Sequence, residues 1–426
     1  MRIVMMTNSF RPHVNGVARS VEAFTREFRR AGHEVLVIAP EHADASDEYG
    51  VLRIPALQSF TGNDFSVALP VPSGLHDGLE RFAPDVVHSH HPYLVGDAAL
   101  RLSRRLGVGL VFTHHTMYEH YAQYVSDDAP SLRRFVKRLS TGYANLTDLV
   151  IAPSASVKEV LAERGVETRI EVVPTGVRLE DLDVGSGEGL RQVLGIPPDA
   201  PVVGHLGRLA PEKNLGFLLD AVERVLAALP RAQFVLAGAG RMEKAIGERL
   251  AAAGLGARFH PMGVVSGKLL ASVYKAMDVF AFASKSETQG MVLIEAMACR
   301  APVVALDAPG AREAVRDGEN GRLVGRESVE AFAAALRSVL EADGTRREAL
   351  REGARRTAEE LSLARTARRM VDLYSEVVAR GEPEDPEESA WAEALERFRT
   401  EWRLIRNAAE AAGAAMFGPD EGDEDR

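Results

Sequence analysis

Residues 278–300 read DVFAFASKSETQGMVLIEAMACR, and this stretch says most about the chain. The first apolar run predicts a buried strand, the polar run SKSETQ predicts a turn, and the residues from Gly290 onward predict a helix. Glu287 lies in the turn and Glu295 lies on the helix, with seven residues between them. A helix that follows a strand directly presents unpaired amides and partial positive charge, which suit a diphosphate. Because ionised carboxylates accept hydrogen bonds from sugar hydroxyls, the stretch predicts a nucleotide-sugar site.

The same alternation of apolar runs and helical patterns extends over most of the chain. The runs that predict strands are 3–6, 35–39, 51–54, 85–88, 110–113, 149–152, 170–173, 201–206, 233–237, 258–261, 279–283, 302–306 and 322–324. Continuous apolar strands with helices between them are typical of parallel sheets that are covered on both faces. We therefore predict an α/β protein with two Rossmann-like domains, each a doubly wound parallel sheet. The Asp-, Gly-, Ser- and Pro-rich segment 178–200 predicts the break between them.

Composition excludes several classes of protein. A chain of 426 residues is long enough for two domains, and its net charge of −10 argues against a general nucleic-acid binder. The single cysteine, Cys299, cannot form an internal disulfide. No apolar run approaches the roughly 20 residues of a membrane span. The apolar N-terminus ends at Thr7, too early for a signal peptide, so we expect a first strand and a cytoplasmic protein.

The C-terminal part of the chain has a different pattern. Residues 327–380 predict helices, and residues 381–389 (GEPEDPEES) predict an acidic linker. A last amphipathic helix within residues 390–417 is expected from an apolar stripe at spacings of 4, 3, 4 and 3, formed by Trp391, Leu395, Phe398, Trp402 and Ile405. The stripe needs a covering surface, which could be the chain's own domain, a second copy or a membrane. We expect the tail after this helix to be disordered.

Two cations follow the first strand of the second domain. Arg208 ends the run GHLGR, and Lys213 lies in the next loop, PEKN. Ligands bind doubly wound folds at the carboxyl ends of the strands, and two cations there could neutralise a diphosphate leaving group without a metal. The segment 238–240 (GAG) lacks the third glycine of a dinucleotide fingerprint and instead predicts a tight turn near the nucleotide.

These residues, in this order, resemble those of the retaining glycosyltransferases of family four, which have the GT-B fold. The resemblance covers about residues 1–380. It is carried by Glu287 and Glu295 with the sequence Gly290-Met291-Val292 between them, by Arg208 and Lys213, and by the loop Asn15-Gly16-Val17. It implies an N-terminal acceptor domain (1–178) and a nucleotide-sugar domain (196–365) that face a cleft. A crossover helix (366–380) and a C-terminal extension (381–426) would follow.

The resemblance also implies roles for the donor-site residues. Glu295 would bind the ribose, Glu287 the hydroxyls of the donor sugar, and Arg208 and Lys213 the diphosphate. The remaining donor-site residues would be Asn15, Gly16, Gly263, Val264, Gly290, Met291 and Val292. Of these, Gly16 would let the backbone approach the reacting centre, and Gly263 with Val264 would lie near the base.

The stretch 112–119 (FTHHTMYE) follows a strand and is predicted to lie on the acceptor side. In the family a histidine here lies close to the transferred sugar. His115 is the residue that matches it, although its neighbour His114 leaves the register open, and Thr116 and Tyr118 would contact the acceptor. The string HTMYEHY is similar to that of bacterial diacylglycerol α-glucosyltransferases. That similarity implies transfer from UDP-glucose to diacylglycerol at the inner membrane face.

A helix predicted over residues 131–143 supports a membrane-associated acceptor. It places four cations beside apolar residues: Arg133, Arg134, Lys137 and Arg138 beside Leu132, Phe135, Val136 and Leu139. A basic amphipathic helix can lie on an anionic membrane. A solvated helix that packs its apolar face on the core remains an alternative.

The resemblance implies a reaction on one face of the sugar, in which the leaving phosphate helps to take the acceptor proton. His115 would orient the substrates, and Glu287, Arg208 and Lys213 would complete the catalytic set. No cofactor or metal is expected, because the histidines that end two strands lack the compact spacing of a zinc site. Two alternatives stay open. One is a mannosyl- or other glycosyltransferase that acts on a sugar or polyprenyl-type acceptor in envelope polysaccharide or glycolipid synthesis. The other is a non-catalytic nucleotide-sugar sensor. The sequence leaves the donor base, the sugar and the oligomeric state undetermined.

Overall fold

A computed structural model describes residues 1–12, 15–57, 67–68, 76–117, 130–380, 400, 403–404 and 407–408. The strands are β1 (Arg2–Met6), β2 (Glu34–Pro40), β3 (Val51–Ile54), β4 (Ala56–Leu57), β5 (Val67–Ala68), β6 (Val86–Ser89), β7 (Gly109–Thr113), β8 (Leu149–Ala152), β9 (Ile170–Val172), β10 (Val202–Leu206), β11 (Gln233–Ala237), β12 (Phe259–Gly263), β13 (Val279–Phe282), β14 (Val303–Leu306) and β15 (Gly321–Val324). Every run that predicts a strand overlaps one of these strands, and the bounds differ by no more than two residues at either end.

The helices fill the spaces between the strands, as the alternation predicts. They are α1 (Gly16–Arg30), α2 (His76–Phe82), α3 (Val95–Leu106), α4 (Pro130–Ala144), α5 (Ala155–Glu163), α6 (Leu179–Leu182), α7 (Gly187–Val193), α8 (Leu215–Ala228), α9 (Glu243–Ala252), α10 (Gly267–Lys275), α11 (Met291–Ala298), α12 (Val329–Leu340), α13 (Gly344–Glu360) and α14 (Leu363–Arg380).

The chain divides into two compact units. Unit 1 comprises Met1–Val173 with Ala367–Arg426, and unit 2 comprises Pro174–Thr366. Unit 1 contains a seven-stranded sheet of order β3-β2-β1-β6-β7-β8-β9, and unit 2 contains a six-stranded sheet of order β12-β11-β10-β13-β14-β15. All pairings in these two sheets are parallel. The prediction of two Rossmann-like parallel-sheet domains is confirmed.

The strand order locates the ligand-binding edge of each sheet. In unit 1 the chain runs outward from β1 through β2 and β3, then returns to the other side of β1 with β6. In unit 2 the same reversal separates β10 from β13. Neighbouring loops leave such a point in opposite directions, so a crevice opens beyond the carboxyl ends of the two strands. We therefore expect functional side chains on the loops that follow β1, β6, β10 and β13.

The segment 178–200 differs from the expected break between domains. It forms α6 and α7, and these helices pack on unit 2. A Cβ on Gly187 would lie 2.2 Å from the carbonyl oxygen of Lys275. Arg191 donates to the carbonyl oxygen of Ala276 at 2.9 Å and pairs with Asp278 at 2.7 Å. These long-range contacts hold the segment against α10, and its turn-rich composition could not reveal them.

The return of the chain to unit 1 is made within α14. Beyond Thr366 this helix packs on unit 1, where Glu376 pairs with Arg169 at 2.6 Å. A Cβ on Gly109 would lie 2.2 Å from Cγ1 of Val377, so β7 and α14 are in close contact.

The described part of the C-terminal extension packs on unit 1. Thr400 is buried, and Leu404 packs against the same apolar core as Tyr143. The side-chain amide of Asn407 donates to the carbonyl oxygen of Leu139 in α4 at 3.1 Å. Of the three coverings considered for this extension, docking on its own domain is the one seen for these residues. The acidic linker 381–389 and the stripe residues Trp391, Leu395, Phe398, Trp402 and Ile405 lie outside the described residues.

Candidate functional site

The loop after β10 carries the two predicted cations of unit 2. Beyond Leu206 the backbone runs close to the turn 238–240, since a Cβ on Gly238 would lie 1.9 Å from the carbonyl oxygen of Gly207. Gly238 has a φ of 126°, so glycine is required there on both counts. In the segment 238–240 both Gly238 and Gly240 have positive φ, and the segment lies close against the backbone that leads to Arg208; a tight turn near the nucleotide stays a prediction.

Lys213 is held by the loop after β13. It ends a 3₁₀ turn, Pro211–Lys213, and its ammonium group forms an ion pair with Oε1 of Glu287. Both side chains are about one-fifth exposed, at 21% and 19%. The next residue, Asn214, has a φ of 53° and donates its amide to Oε1 of Glu327 at 2.7 Å. The predicted cation and the predicted sugar-binding carboxylate are therefore in direct contact.

Glu327 connects the same two loops from the other side. Its Oε2 accepts a hydrogen bond from Lys285 at 2.7 Å while Oε1 accepts from Asn214. These two donors, Lys285 first, lower the pKa of Glu327 below its usual value. The Lys213–Glu287 ion pair and the Glu327 carboxylate thus both join the loops after β10 and β13.

Arg208 is the more accessible cation. Its side chain is 57% exposed, and it pairs with Glu212, four residues further on, at 2.6 Å. Exposed pairs of this kind contribute little stability, about 0.2–1 kcal/mol. A diphosphate that offers bidentate oxygens to the guanidinium group can therefore displace Glu212 at small cost.

The start of α11 supplies the amides that the sequence predicted. Gly290 caps this helix in the left-handed region, with φ 68° and ψ 52°. A Cβ there would lie 3.1 Å from the carbonyl oxygen of Gly310, and a Cβ on Gly310 would lie 2.7 Å from Cβ of Glu287. Met291 and Val292 follow in the first turn, where helix amides have no partner within the helix. The geometry is that of an anion-binding helix start.

Glu295 lies one turn further along α11. It is 9% exposed, and its Oε2 accepts a hydrogen bond from the hydroxyl group of Tyr274 at 2.8 Å. A buried carboxylate with a donor on one oxygen is fixed in orientation. Tyr274, on α10, therefore holds in place the carboxylate that is predicted to bind the ribose.

Gln289 and Tyr274 hold parts of the candidate site in place, and sequence reasoning missed both. The side-chain amide of Gln289 accepts from the backbone N–H of Thr175 at 2.8 Å and donates to its carbonyl oxygen at 2.5 Å. These two hydrogen bonds fix the loop just before the start of α11. No local signal could have found either residue, because the partners lie 114 and 21 residues away in the sequence.

Gly263 and Val264 lie at the end of β12, on the same edge of the sheet. The carbonyl oxygen of Gly263 accepts from the N–H of Gly238 at 2.7 Å, which connects the predicted base-binding residues to the tight turn. The side chain of Val264 is 79% exposed. An exposed apolar side chain next to the site could cover one face of a nucleobase.

Asn15 and Gly16 begin α1, in the loop after β1. Oδ1 of Asn15 accepts from the N–H of Ala18 at 2.9 Å, and its Nδ2 donates to Oγ of Ser9 at 2.6 Å. A Cβ on Gly16 would meet no described atom within 4 Å. Packing against the described part of the unit therefore does not require a glycine at this position.

Histidines from β6 and β7 gather at the carboxyl edge of unit 1. His114 is fully buried whereas His115 is partly exposed, so His115 is the one of the pair that a ligand can reach. Nε2 of His115 lies 2.9 Å from Nδ1 of His90. Burial holds the pKa of His90 and that of His115 well below the usual value for histidine, and neighbouring histidines lower both further. The partly exposed Thr116 follows, and Tyr118 lies outside the described residues.

The other two histidines of this cluster are also neutral. Desolvation lowers the pKa of His88 to about 3 and that of His91 to about 4. His91 accepts the N–H of Asn8 at 3.1 Å. Across the described residues, no group of three or more His, Cys, Asp or Glu side chains is arranged to hold a metal ion.

The predicted basic helix is present as α4. Arg133 and Arg138 are exposed, and Arg134 and Lys137 are partly exposed. The apolar residues of its first half, Leu132, Phe135, Val136 and Leu139, are partly buried. Its last turns are fixed in the core by Tyr143. Within the described ranges, no helix combines the length and the apolar character that a bilayer-spanning segment needs.

Comparisons with known proteins identify what the chain is similar to. The family model described as Glycosyltransferase Family 4 matches residues 14–181, and that described as Glycosyl transferases group 1 matches residues 187–357. An alpha-monoglucosyldiacylglycerol synthase of Streptococcus pneumoniae is 28% identical over 330 residues, covering 76% of this chain and 75% of the relative. A GDP-mannose-dependent alpha-mannosyltransferase of Mycobacterium tuberculosis is 32% identical over 335 residues, covering 76% and 84%.

A solved structure shows the fold. HepE of Anabaena, in complex with UDP, superposes with a TM-score of 0.70 over 88% of this chain and 100% of HepE, at 22% identity. The two parallel-sheet units therefore have the GT-B architecture, as predicted.

Tyr274→Phe tests how Glu295 is held. The variant keeps the ring and removes the hydroxyl group that donates to the carboxylate, so we expect the free energy of unfolding to fall by about 1.5–3 kcal/mol. Chemical denaturation measures this loss. The matched control is Tyr143→Phe, which removes a hydroxyl bonded to the neutral carbonyl of Gly96 and should cost about 0.5–1.5 kcal/mol. A Tyr274→Phe variant as stable as the wild type would contradict the assignment.

Proposed function

This chain is a member of glycosyltransferase family 4, and on that premise we propose that it transfers a hexosyl group, with retention of the α configuration, from UDP-glucose to diacylglycerol. The reaction takes place at the cytoplasmic face of a membrane, on which the protein lies as a peripheral protein. The observation that carries the proposal is the convergence of two cations, two carboxylates and a helix start at one edge of the unit 2 sheet.

The donor binds to unit 2. Arg208 and Lys213 neutralise the diphosphate, and the amides of Met291 and Val292 after Gly290 complete its shell. Glu295 accepts from the ribose hydroxyls, and Glu287 accepts from the hydroxyls of the sugar. Because Lys213 is already paired with Glu287, one ammonium group sets the distance between the sugar-binding carboxylate and the phosphate.

A protein of similar structure supports the choice of a uridine nucleotide as the donor. HepE, which shares the fold, was solved in complex with UDP and with UDP-glucose. In this chain Gly263 and Val264 supply the surface for the base. Asn15 and Gly16 belong to the donor set through the loop after β1, where the described atoms leave room for the ligand beyond Gly16.

The chemistry is electrostatic. As the bond between the sugar and the phosphate breaks, negative charge develops on the diphosphate, and fixed positive groups stabilise it without reorganisation. Arg208 and Lys213 supply the charge that a metal ion would otherwise supply, so we propose transfer without a metal or other cofactor. The ion pair with Lys213 makes the Glu287 carboxylate a poor nucleophile, which favours retention through reaction on one face over a double displacement.

The acceptor is handled by unit 1. His115 is neutral and partly exposed, so it orients the sugar and the acceptor by hydrogen bonding, with Thr116 beside it. Tyr118 completes the acceptor set in the proposal. A diacylglycerol acceptor is supported by the similarity to alpha-monoglucosyldiacylglycerol synthases and by the cations of α4, which suit an anionic membrane surface.

A mannosyltransferase is the second candidate. Relatives named GDP-mannose-dependent alpha-mannosyltransferase are 32% and 33% identical to this chain. This candidate uses the same unit 2 residues for a different base and sugar, and it acts on a sugar or polyprenyl-type acceptor. A sensor without catalysis is the third, and it requires that a bound donor is never cleaved.

A thermal-shift screen of nucleotide sugars tests the donor. At 100 times its dissociation constant, the true donor adds about 2.7 kcal/mol to the free energy of unfolding. At equal concentrations, we expect UDP-glucose to stabilise the protein more than GDP-mannose does. Arg208→Gln should lower the affinity for UDP-glucose roughly 10–100-fold, because a charge-assisted hydrogen bond contributes about 1.5–3 kcal/mol. The control is Arg337→Gln, which also breaks a pair with a glutamate four residues further on, Glu341. Selective stabilisation by GDP-mannose would favour the second candidate.

Vesicles test the acceptor. Transfer of glucose to diacylglycerol should need anionic vesicles, and Arg133→Gln/Arg138→Gln should lower vesicle affinity roughly 30-fold, at about 1 kcal/mol for each cation. The control variant, Lys244→Gln/Arg356→Gln, removes two exposed cations of unit 2 and should bind as the wild type does. Full activity on a soluble sugar without vesicles would defeat the diacylglycerol assignment.

A further inference from the structure

We propose that His90 is a positioning residue that holds His115 as the neutral tautomer with its proton on Nδ1. The inference deepens the proposed function and rests on it for its catalytic consequence. The tautomer itself follows from contacts within unit 1.

One hydrogen bond joins the two rings. Nδ1 of His90 lies 2.9 Å from Nε2 of His115, and the ring centroids are 5.2 Å apart in a stacked arrangement. Between two neutral imidazoles one nitrogen must donate and the other must accept. The bond therefore has two forms, which differ in the tautomer of both rings.

The second nitrogen of His90 distinguishes these two forms. Nε2 of His90 is buried and has no hydrogen-bond partner among the described residues. If His115 donated, His90 would carry an N–H at Nε2 that is buried without an acceptor. If His90 donates, Nε2 is an unfilled lone pair. Orphaned buried N–H groups are the rarer of the two in proteins, so His90 donates from Nδ1 and His115 accepts at Nε2.

His90 is fixed from behind by a second histidine. The ring of His88 packs on it with centroids 4.1 Å apart. His88 is itself held at both nitrogens, by the hydroxyl group of Tyr374 at 2.5 Å and by Oγ1 of Thr113 at 2.7 Å. Strand β6, strand β7 and helix α14 thus set the position of His90.

The consequence concerns the ring nitrogen of His115 that remains for a ligand. With Nε2 engaged by His90, the partly exposed His115 presents Nδ1 as an N–H donor. A donor can hold an oxygen of the sugar or the acceptor, but it cannot take a proton from the acceptor hydroxyl group. His115 therefore orients the substrates, and the acceptor proton leaves to an oxygen of the departing phosphate as the new bond to carbon forms.

Nitrogen-15 NMR of histidine-labelled wild-type protein reads the tautomer directly. The signals of His115 are assigned by their loss in His115→Phe. We expect the protonated nitrogen to be Nδ1. A proton on Nε2 of His115 in the wild type would overturn the proposal, and this outcome needs neither substrate nor activity.

Two variants at His90 test its role. His90→Asn keeps an N–H near the position of Nδ1 and should retain the tautomer, with kcat within about 3-fold of the wild type. His90→Leu removes the donor, so the proton of His115 should shift to Nε2. Its kcat should fall about 10–100-fold, the range seen when residues that orient metal-bound histidines are lost, with KM for the donor nearly unchanged.

Wild-type kcat in His90→Leu would overturn the positioning role. An equal loss in His90→Asn and His90→Leu would do the same, because a donor would then be irrelevant. If the protein cleaves no nucleotide sugar at all, the proposed function fails while the tautomer can still be read by NMR, so the two failures are distinguishable.

Discussion

The ion pair between Lys213 and Glu287 is the contact on which the rest of the candidate site depends. It joins the loop after β10 to the loop after β13, at the point where the strand order of unit 2 reverses. Glu327 joins the same two loops through Asn214 and Lys285. Gln289 fixes the loop after β13 to the backbone of Thr175. In the proposed function, contacts within unit 2 therefore fix the spacing between the cation that binds the phosphate and the carboxylate that binds the sugar. Such preorganisation is what electrostatic catalysis requires.

The two units differ in the ionisable side chains that lie at the carboxyl edge of their sheets. Unit 2 keeps its charges paired and partly exposed, so that a charged ligand can exchange for a carboxylate at small cost. Unit 1 gathers four neutral histidines, of which His88, His90 and His91 are buried and His115 is partly exposed. Desolvation lowers their pKa values so that they carry no charge at neutral pH. This difference agrees with the proposed function, in which unit 2 stabilises the charge of the leaving group and unit 1 orients the acceptor by hydrogen bonds.

The sequence predicts most of the fold because its signals are local. Buried parallel strands appear as continuous apolar runs, so their positions can be read directly, and residues that end them fall at the ligand edge. Arg208, Lys213, Glu287 and Glu295 are placed correctly on their loops and helix by this reasoning alone. Their roles stay predictions, as does the role of His115, which was separated from His114 only by burial.

What the sequence could not predict depends on contacts between distant residues. The bond from Tyr274 to Glu295, the clamp of Gln289 on Thr175 and the array behind His115 join segments 21 to 286 residues apart. The segment 178–200 shows the same limit, because its loop-like composition hides two helices held by Arg191 and Gly187. Packing partners decide these features, and composition does not record them.

The rate at which the double variant Arg208→Gln/Lys213→Gln cleaves UDP-glucose tests the central claim most directly. Two charge-assisted bonds of about 1.5–3 kcal/mol each predict a rate at least about 100-fold below that of the wild type. The control, Lys244→Gln/Arg337→Gln, removes the same charge elsewhere on unit 2 and should leave the rate unchanged. Cleavage by the double variant at the wild-type rate would contradict the account.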